Sequence, residues 1–248
     1  MDLIKYARFL CLVTVFFFLL ETVPNEVSAA EKNAKPLKKA AKPLKKAAYQ
    51  PPLRGAPSSR VGGGSRGAKR TCTLRVIAPD HTGLTISDQP TLYWYASGNV
   101  TDPVEFTLTQ EDVIEPIIEV VIVAPTKAGI QKVGLADFDI SLNSNVEYQW
   151  FISVVKDREQ RSRDIVAGAT IKLIDIKAPL QEQLRKAPDL EHPLIYANAG
   201  VWYDAVASLG NQIAKRGKAS GLREQRALLM DQVELAEVST YDRSVATN

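Results

Sequence analysis

A six-residue stretch with strict two-residue alternation, at positions 91–96, constrains the fold of this chain more than any other feature. Leu92, Trp94 and Ala96 fall on one face of the stretch, which is the pattern of a half-buried β-strand. Pro90 comes just before it, where a missing backbone N–H costs a sheet little. The stretch therefore predicts a strand, and the segments up to residue 176 are expected to cover its Trp94 face.

Further alternating or short apolar stretches recur through residues 71–176, with turn residues and no helical period between them. They predict a mainly β fold, an antiparallel β-sandwich of seven or eight strands with an immunoglobulin-like or fibronectin-like arrangement. Trp94 and Trp150 are core candidates, and Tyr148 is interpreted as a core aromatic or, alternatively, as a corner tyrosine bonded back to the chain. The predicted strands are 72–78, 83–87, 91–96, 104–109, 117–124, 132–142, 148–154 and 165–176.

Two of these predicted strands depart from simple alternation. Residues 117–124 are nearly all apolar apart from Glu119, which predicts a strand that is central or covered on both faces. Within 132–142, Asp137 interrupts the alternation and predicts a bulge or a change of register.

After residue 176 the apolar period changes from two to about 3.6, which indicates a C-terminal helical region over 177–240. Pro179 and Pro193 are expected to open short helices. An apolar stripe that starts at Trp202 predicts a helix ended by Gly217, and a last helix is predicted from 222 to about 238. The resulting helical hairpin is expected to pack on the sandwich or on a partner, with a flexible tail at 241–248.

Residues 1–30 have the order of a secretory signal peptide. Lys5 and Arg8 precede twelve apolar residues at 9–20, and small residues follow at 27–30. Twelve residues are well short of the roughly 20 that span a bilayer as a helix, so cleavage is favoured over a retained anchor. We therefore expect a mature chain without a transmembrane segment, exported to the periplasm or the cell surface. Cys72 would then be its single cysteine, and its place on an apolar strand face favours burial over intermolecular pairing.

Charge divides the chain into a basic arm and an acidic body. Residues 31–70 contain 12 Lys or Arg and one acidic residue, whereas 71–248 contain 17 basic and 24 acidic residues. The sequence Ala-Lys-Pro-Leu-Lys-Lys-Ala at 34–40 is repeated unchanged at 41–47. This composition predicts a disordered, solvated linker over 31–70.

The arm has three possible roles, which are a spacer with weak, salt-sensitive affinity for the envelope, a plain solubilising spacer, and a specific anion-binding segment. Export argues against nucleic acid as its partner. The lysines predicted to contact an anionic surface are Lys35, Lys38, Lys39, Lys42, Lys45 and Lys46.

The strongest candidate for a binding site is the loop 156–164, which lies between two apolar strands. Its Arg158, Arg161 and Arg163, together with Asp164, are suited to engage a carboxylate or phosphate partner. The alternative is a solvated hairpin whose charges satisfy one another. No metal-ligand spacing or nucleophile motif in the required context occurs, so we expect no catalytic residue, metal or cofactor.

Six stretches of the body together resemble a known family. They are Arg60-Val-Gly-Gly-Gly-Ser-Arg-Gly, Gly83-Leu-Thr-Ile-Ser-Asp-Gln-Pro-Thr-Leu, Val104-Glu-Phe-Thr-Leu, Tyr148-Gln-Trp-Phe-Ile-Ser, Arg161-Ser-Arg-Asp and Gly200-Val-Trp-Tyr-Asp-Ala-Val-Ala-Ser-Leu. Through them the chain resembles the family catalogued as domain of unknown function 928, which comprises secreted proteins mainly of cyanobacteria and related bacteria. The resemblance implies no activity. It does imply that Cys72 lacks a partner, because members often carry a second cysteine near the position of Lys156.

These observations favour an exported, non-catalytic binding or scaffolding module at the cell envelope, with a protein or an anionic envelope component as its partner. One alternative is a hydrolase with an unrecognised carboxylate site. Another is an adhesin or structural surface protein tethered by the basic arm. A cleft holding carboxylates of raised pKa would favour the enzyme, and an exposed apolar patch on the Trp202 helix would favour a protein partner.

Overall fold

The computed structural model describes residues 48–52, 60–62, 72–110, 113–217 and 220–247. The predicted signal peptide and the six arm lysines lie outside the described residues. Within them, eight strands precede five α-helices, which confirms the prediction of a β part followed by a helical C-terminal part, although the helices hold more residues than the strands, contrary to the prediction of a mainly β chain. Among these residues no helix is both long and apolar enough to cross a bilayer.

The eight strands form a three-stranded and a five-stranded sheet. They are β1 (Leu74–Val76), β2 (Gly83–Thr85), β3 (Thr91–Ala96), β4 (Val104–Gln110), β5 (Ile118–Ile122), β6 (Gly129–Gly134), β7 (Glu147–Val154) and β8 (Ile165–Leu173). The small sheet has the order β1-β3-β6, and the large sheet has the order β2-β8-β7-β4-β5. All neighbouring strands are antiparallel except β2 and β8, which run parallel, so the antiparallel prediction is wrong at that edge.

Side chains from both sheets share one buried cluster. Trp94 and Leu92 of the small sheet belong to it, as do Trp150, Phe106 and Ile152 of the large sheet. The prediction that Trp94 and Trp150 lie in the core is confirmed, since both are almost completely buried. An immunoglobulin-like or fibronectin-like arrangement of these sheets stays a prediction.

Strand β5 is an edge strand, contrary to the prediction that it is central or covered on both faces. It pairs with β4 alone, and Glu119 and Val121 are exposed on its outer face. The next outward residue, Val123, is 91% exposed. A charge on an exposed edge discourages pairing with other chains, which is consistent with Glu119 as the second residue of this strand.

The five helices are α1 (Ala178–Lys186), α2 (His192–Asn198), α3 (Trp202–Arg216), α4 (Ser220–Gln232) and α5 (Ala236–Thr247). The single last helix predicted from the sequence is two helices, because the chain turns at Glu234, whose φ is 58°. Helix α5 also continues to Thr247, within the segment for which the sequence predicts a tail. The predicted strand 132–142 ends early as well, because a 3₁₀ helix, Leu135–Phe138, follows Gly134 directly.

Two short parts of the predicted linker pack against the body, so the linker prediction does not hold for them. Tyr49 is 9% exposed and stacks edge-on against Trp202, with ring centroids 4.8 Å apart. Arg60 donates to the carbonyls of Ala78 and Val233, at 3.0 and 2.8 Å. The signal for the first contact is visible in the sequence, because Tyr49 is the single aromatic residue of 31–70.

Tyr148 is both a core aromatic and a tyrosine bonded back to the chain, the two interpretations that the sequence offers. Its ring is 2% exposed, and its hydroxyl accepts a hydrogen bond from the backbone N–H of Asn143 at 3.0 Å. We expect Tyr148→Phe to lower the free energy of unfolding by about 1 kcal/mol, because the backbone N–H of Asn143 loses its acceptor. Urea unfolding measures this loss, and a Tyr148→Phe chain as stable as the parent would show that the bond contributes nothing.

Candidate functional site

The predicted binding loop, 156–164, is largely engaged in internal ion pairs. The guanidinium of Arg161 lies 2.6 Å from Asp164 and 2.6 Å from the buried Glu105, and both bonds raise the pKa of Arg161. The other carboxylate oxygen of Asp164 accepts from the backbone N–H of Lys156 at 3.0 Å. For Arg161 and Asp164 the structure therefore agrees with the alternative interpretation, in which the charges of the loop pair with one another.

The two other arginines of this loop differ from Arg161. Arg158 and Arg163 are exposed, and neither has an ion-pair partner among the described residues. These two guanidiniums are available to an external anion, whereas the Arg161 guanidinium already has two carboxylate partners.

A polar cleft elsewhere in the fold has the features expected of a functional site. One wall is the chain from the end of β2 to the start of β3, and the other is formed by α2 and α3. The cavity has a volume of about 310 Å³, within the range typical of small-ligand sites. We call it the Asp204 cleft, and it is lined by Thr85, Ser87, Gln89, Pro90, Thr91, His192, Tyr196, Tyr203, Asp204, Ala207, Ser208 and Asn211.

The position of α3 beside β2 depends on a close contact between Tyr203 and Gly83. A Cβ atom at Gly83 would lie 2.5 Å from the Tyr203 ring, so a residue without a side chain is required there. The Tyr203 hydroxyl accepts from the Trp150 indole N–H and donates to the Thr170 carbonyl, both at 2.9 Å. These buried bonds fix the first turn of α3, which carries Asp204.

Asp204 is the recessed carboxylate of the cleft. One oxygen accepts from the backbone N–H of Ile86 at 3.1 Å, and the Thr85 hydroxyl bonds to the same carboxyl group. Burial raises the pKa of Asp204 to about 6, although these hydrogen bonds act in the opposite direction. The loss of hydration therefore outweighs the hydrogen bonds and the favourable place of a carboxylate in the first turn of a helix.

His192 and Tyr196 of α2 complete the helical wall. The Nε2 atom of His192 lies 3.1 and 3.2 Å from the carbonyls of Leu184 and Ala187. Since both partners are acceptors, Nε2 is the nitrogen that donates in this contact. Burial raises the pKa of the Tyr196 hydroxyl, and the charge of Asp204 adds to this effect.

The lining of the Asp204 cleft is suited to binding by hydrogen bonds. It offers hydroxyls, side-chain amides and a carboxylate, and none of the described residues that line it is Lys or Arg. Asp204 is the one carboxylate among those residues, so the cleft lacks the second acidic group of a paired-carboxylate mechanism. Within the described part of the chain, no group of three or more His, Cys, Asp or Glu residues is placed to hold a metal ion.

No sequence motif marks this cleft, because its walls come from segments more than 100 residues apart. A signal was present, since two of the six stretches that carry the family resemblance, those beginning at Gly83 and Gly200, supply most of the lining. Asp204 itself is an isolated acidic residue next to an otherwise apolar helical stripe.

Cys72 is half-buried, and its thiol lies 3.8 Å from the carbonyl of Gly98. It lines a cavity of about 330 Å³ together with Lys156. Lys156 is the position near which the family resemblance implies a second cysteine. The structure therefore places Cys72 and that position at one cavity.

The fold and the Asp204 cleft define a two-sheet β protein with a helical C-terminal part and a recessed carboxylate. A family model described as Domain of Unknown Function (DUF928) matches residues 61–242, and the chain belongs to this family, as the resemblance predicts. No curated protein matches the chain. Among solved structures, the chain is similar to a multi-domain immunophilin from Arabidopsis thaliana at 10% identity and a TM-score of 0.18, over 80% of this chain and 100% of that one. A similarity at this level does not establish a shared fold.

Proposed function

We propose that this protein is a non-catalytic binding module of the cell envelope that holds a hydroxyl-rich ligand, such as a saccharide, in the Asp204 cleft. The observation that carries the proposal is a half-buried carboxylate with a pKa of about 6 in the lining of a polar cavity. Burial of a carboxylate in this way destabilises a fold, and perturbed groups of this kind concentrate at functional sites.

The chemistry of the lining supports a saccharide. Sugar hydroxyls both donate and accept hydrogen bonds, and the Asp204 carboxylate accepts while Asn211 and Gln89 do both. The half-buried Tyr196 adds an aromatic surface for the apolar face of a sugar ring. The absence of Lys and Arg from the described lining makes this cleft unfavourable for an anionic group.

The hydrolase alternative gains support from the raised pKa of Asp204, because a general acid needs such a shift. The same carboxyl group is nevertheless held by Ile86 and Thr85, and the described lining contains no second carboxylate. This arrangement favours binding over hydrolysis.

The adhesin alternative rests on a different surface. Helix α3 exposes no large apolar patch, because Trp202 is completely buried. The exposed apolar side chains of β5 and its flanks are Ile117, Val121 and Val123. They support contact with a protein at this edge as a second candidate function.

The basic arm and the arginine loop are proposed to assist envelope binding. The arm lysines provide a salt-sensitive tether to anionic polymers, and Arg158 and Arg163 provide a further anionic contact. Export through a cleaved signal peptide places the protein in the periplasm or at the cell surface in this proposal.

Measuring how variants bind to envelopes separates the contribution of the basic arm from that of the Asp204 cleft. The full chain would be mixed with envelopes of the source organism at about 20 mM and about 500 mM salt, where charge screening differs strongly. One variant has all six arm lysines replaced by glutamine. A second, Ala207→Phe, fills the Asp204 cleft, and its matched control is Ala136→Phe at an exposed alanine outside the cleft.

We expect the lysine variant to bind envelopes more weakly than the parent at low salt and equally well at high salt. Ala207→Phe should weaken envelope binding about tenfold at high salt, and Ala136→Phe should bind like the parent. Equal binding by Ala207→Phe and the parent chain at high salt would contradict the proposal for the cleft. Binding lost only with the lysines would assign envelope affinity to the arm.

A further inference from the structure

A second cleft adjoins the first and has the opposite electrostatic character. Its volume is about 320 Å³, and Asn211 lines both clefts. It lies where β3 and β6 meet α3, α4 and α5. We call it the Arg226 cleft, and its polar lining includes Tyr93, Lys132, Asn211, Arg223, Arg226 and Tyr241.

The guanidinium of Arg226 is fixed by a buried carboxylate. Its Nε and Nη2 atoms bond to Asp242 at 2.6 and 2.7 Å, and the Asp242 side chain is completely buried. Arg223 approaches the same carboxylate at 3.4 Å. Since one carboxylate is shared by two guanidiniums, this group keeps a positive charge, and its geometry is set before any ligand arrives.

Lys132 adds a further positive charge at the mouth of this cleft. It is exposed and has no ion-pair partner among the described residues. The Tyr241 hydroxyl lies 3.3 Å from the carbonyl of Ala128. Gly210 leaves room beside the Tyr93 hydroxyl, because a Cβ atom there would lie 2.4 Å from that oxygen. The cleft thus combines three cations with two phenolic hydroxyls in a pocket of small-ligand size.

We infer that the Arg226 cleft binds an anionic group, a carboxylate or a phosphate, through Arg223, Arg226 and Lys132. Arginine guanidiniums bind both groups through paired N–H donors, and the Tyr93 hydroxyl supplies an additional donor, whereas the Tyr241 hydroxyl donates to the Ala128 carbonyl. Because Asn211 lines both clefts, an extended ligand has access to hydroxyl-binding groups on one side of this residue and to cationic groups on the other.

The test is a titration of the full chain at low ionic strength, first with inorganic phosphate and then with acetate. Binding is monitored through the amide and guanidinium resonances in ¹⁵N NMR spectra. The variants are Arg223→Gln and Lys132→Gln, and the control is Lys215→Gln, which removes an exposed charge near the end of α3. Arg226 is left intact, because its loss would also remove the partner of a buried carboxylate. Asp204→Asn is added to separate this site from the Asp204 cleft.

We expect phosphate to shift the resonances of Arg223, Lys132 and Tyr241. Arg223→Gln should weaken binding about tenfold and Lys132→Gln about threefold, while Lys215→Gln and Asp204→Asn stay within about twofold of the parent. Tighter binding of acetate than of phosphate would identify a carboxylate as the preferred group, and the reverse a phosphate. Unmoved resonances in the cleft, or equal affinity in Arg223→Gln, would overturn the inference whatever the outcome for the Asp204 cleft.

Discussion

Asp242→Asn is expected to lower the free energy of unfolding by about 3–5 kcal/mol. Asp242 is completely buried, and Arg226, its bidentate partner, is 4% exposed. The substitution leaves a buried guanidinium without a compensating charge, and the pair also joins α5 to α4. Urea unfolding at neutral pH, followed by circular dichroism, measures the loss.

The matched control is Asp231→Asn, which breaks an exposed pair between the same two helices. Asp231 lies 2.6 Å from Arg243, and both side chains are about 40% exposed. We expect this change to cost at most about 1 kcal/mol, because water screens the pair. Similar losses in the two variants would show that burial of Asp242 adds nothing, which would contradict this account of the α4–α5 contact.

Asp204→Asn is expected to raise the free energy of unfolding at pH 7, by about 2–3 kcal/mol. The folded pKa of about 6 lies above the ordinary value of 3.8. Between these two values the folded chain holds a proton that the unfolded chain has lost, so stability falls as the pH rises through this window. The penalty is complete at pH 7 and absent below about pH 4, and the amide variant avoids it because it carries no charge.

Unfolding free energies of the parent and of Asp204→Asn, measured between pH 3.5 and pH 7.5, check this prediction. Asp88→Asn is the control, since it removes an exposed carboxylate from the same β2–β3 connection and should change stability by less than about 0.5 kcal/mol. An Asp204→Asn chain that is less stable at pH 7 would show that the carboxylate acts as a structural clamp on Ile86. The loss of its charge-assisted hydrogen bonds would then exceed the desolvation penalty.

The order of strands along the chain was predictable because alternation at Trp94 and Trp150 reports which side of a strand is buried. The sheet to which each strand belongs was not, since the pairing of β2 with β8 joins segments about 90 residues apart. The apolar run 117–124 shows the same limit, because composition does not distinguish a central strand from an exposed edge such as β5. The break at Glu234 was missed for a local reason, since the left-handed residue there is not a glycine.

The candidate sites were less predictable than the fold. Arg161 and Asp164 were identified by charge alone, but the second partner of Arg161, the buried Glu105, lies on β4, 56 residues earlier, and no local pattern shows that contact. Asp204 and Arg226 gave no sequence signal of their own, because their importance arises from burial and from neighbours on other elements. Tyr49 is the exception, because an isolated aromatic in a basic arm already indicates an anchor.

The central claim is that Asp204 lies in a ligand-binding cleft, and its carboxyl group can be observed directly. We would follow the ¹³Cγ resonance of Asp204 against pH, with and without soluble oligosaccharides released from the envelope of the source organism. The account predicts a pKa of about 6 without ligand and a lower pKa with it, because sugar hydroxyls that donate to the carboxylate favour its charged form. A pKa near 3.8 without ligand, or a titration curve that the oligosaccharides leave unchanged, would contradict the account.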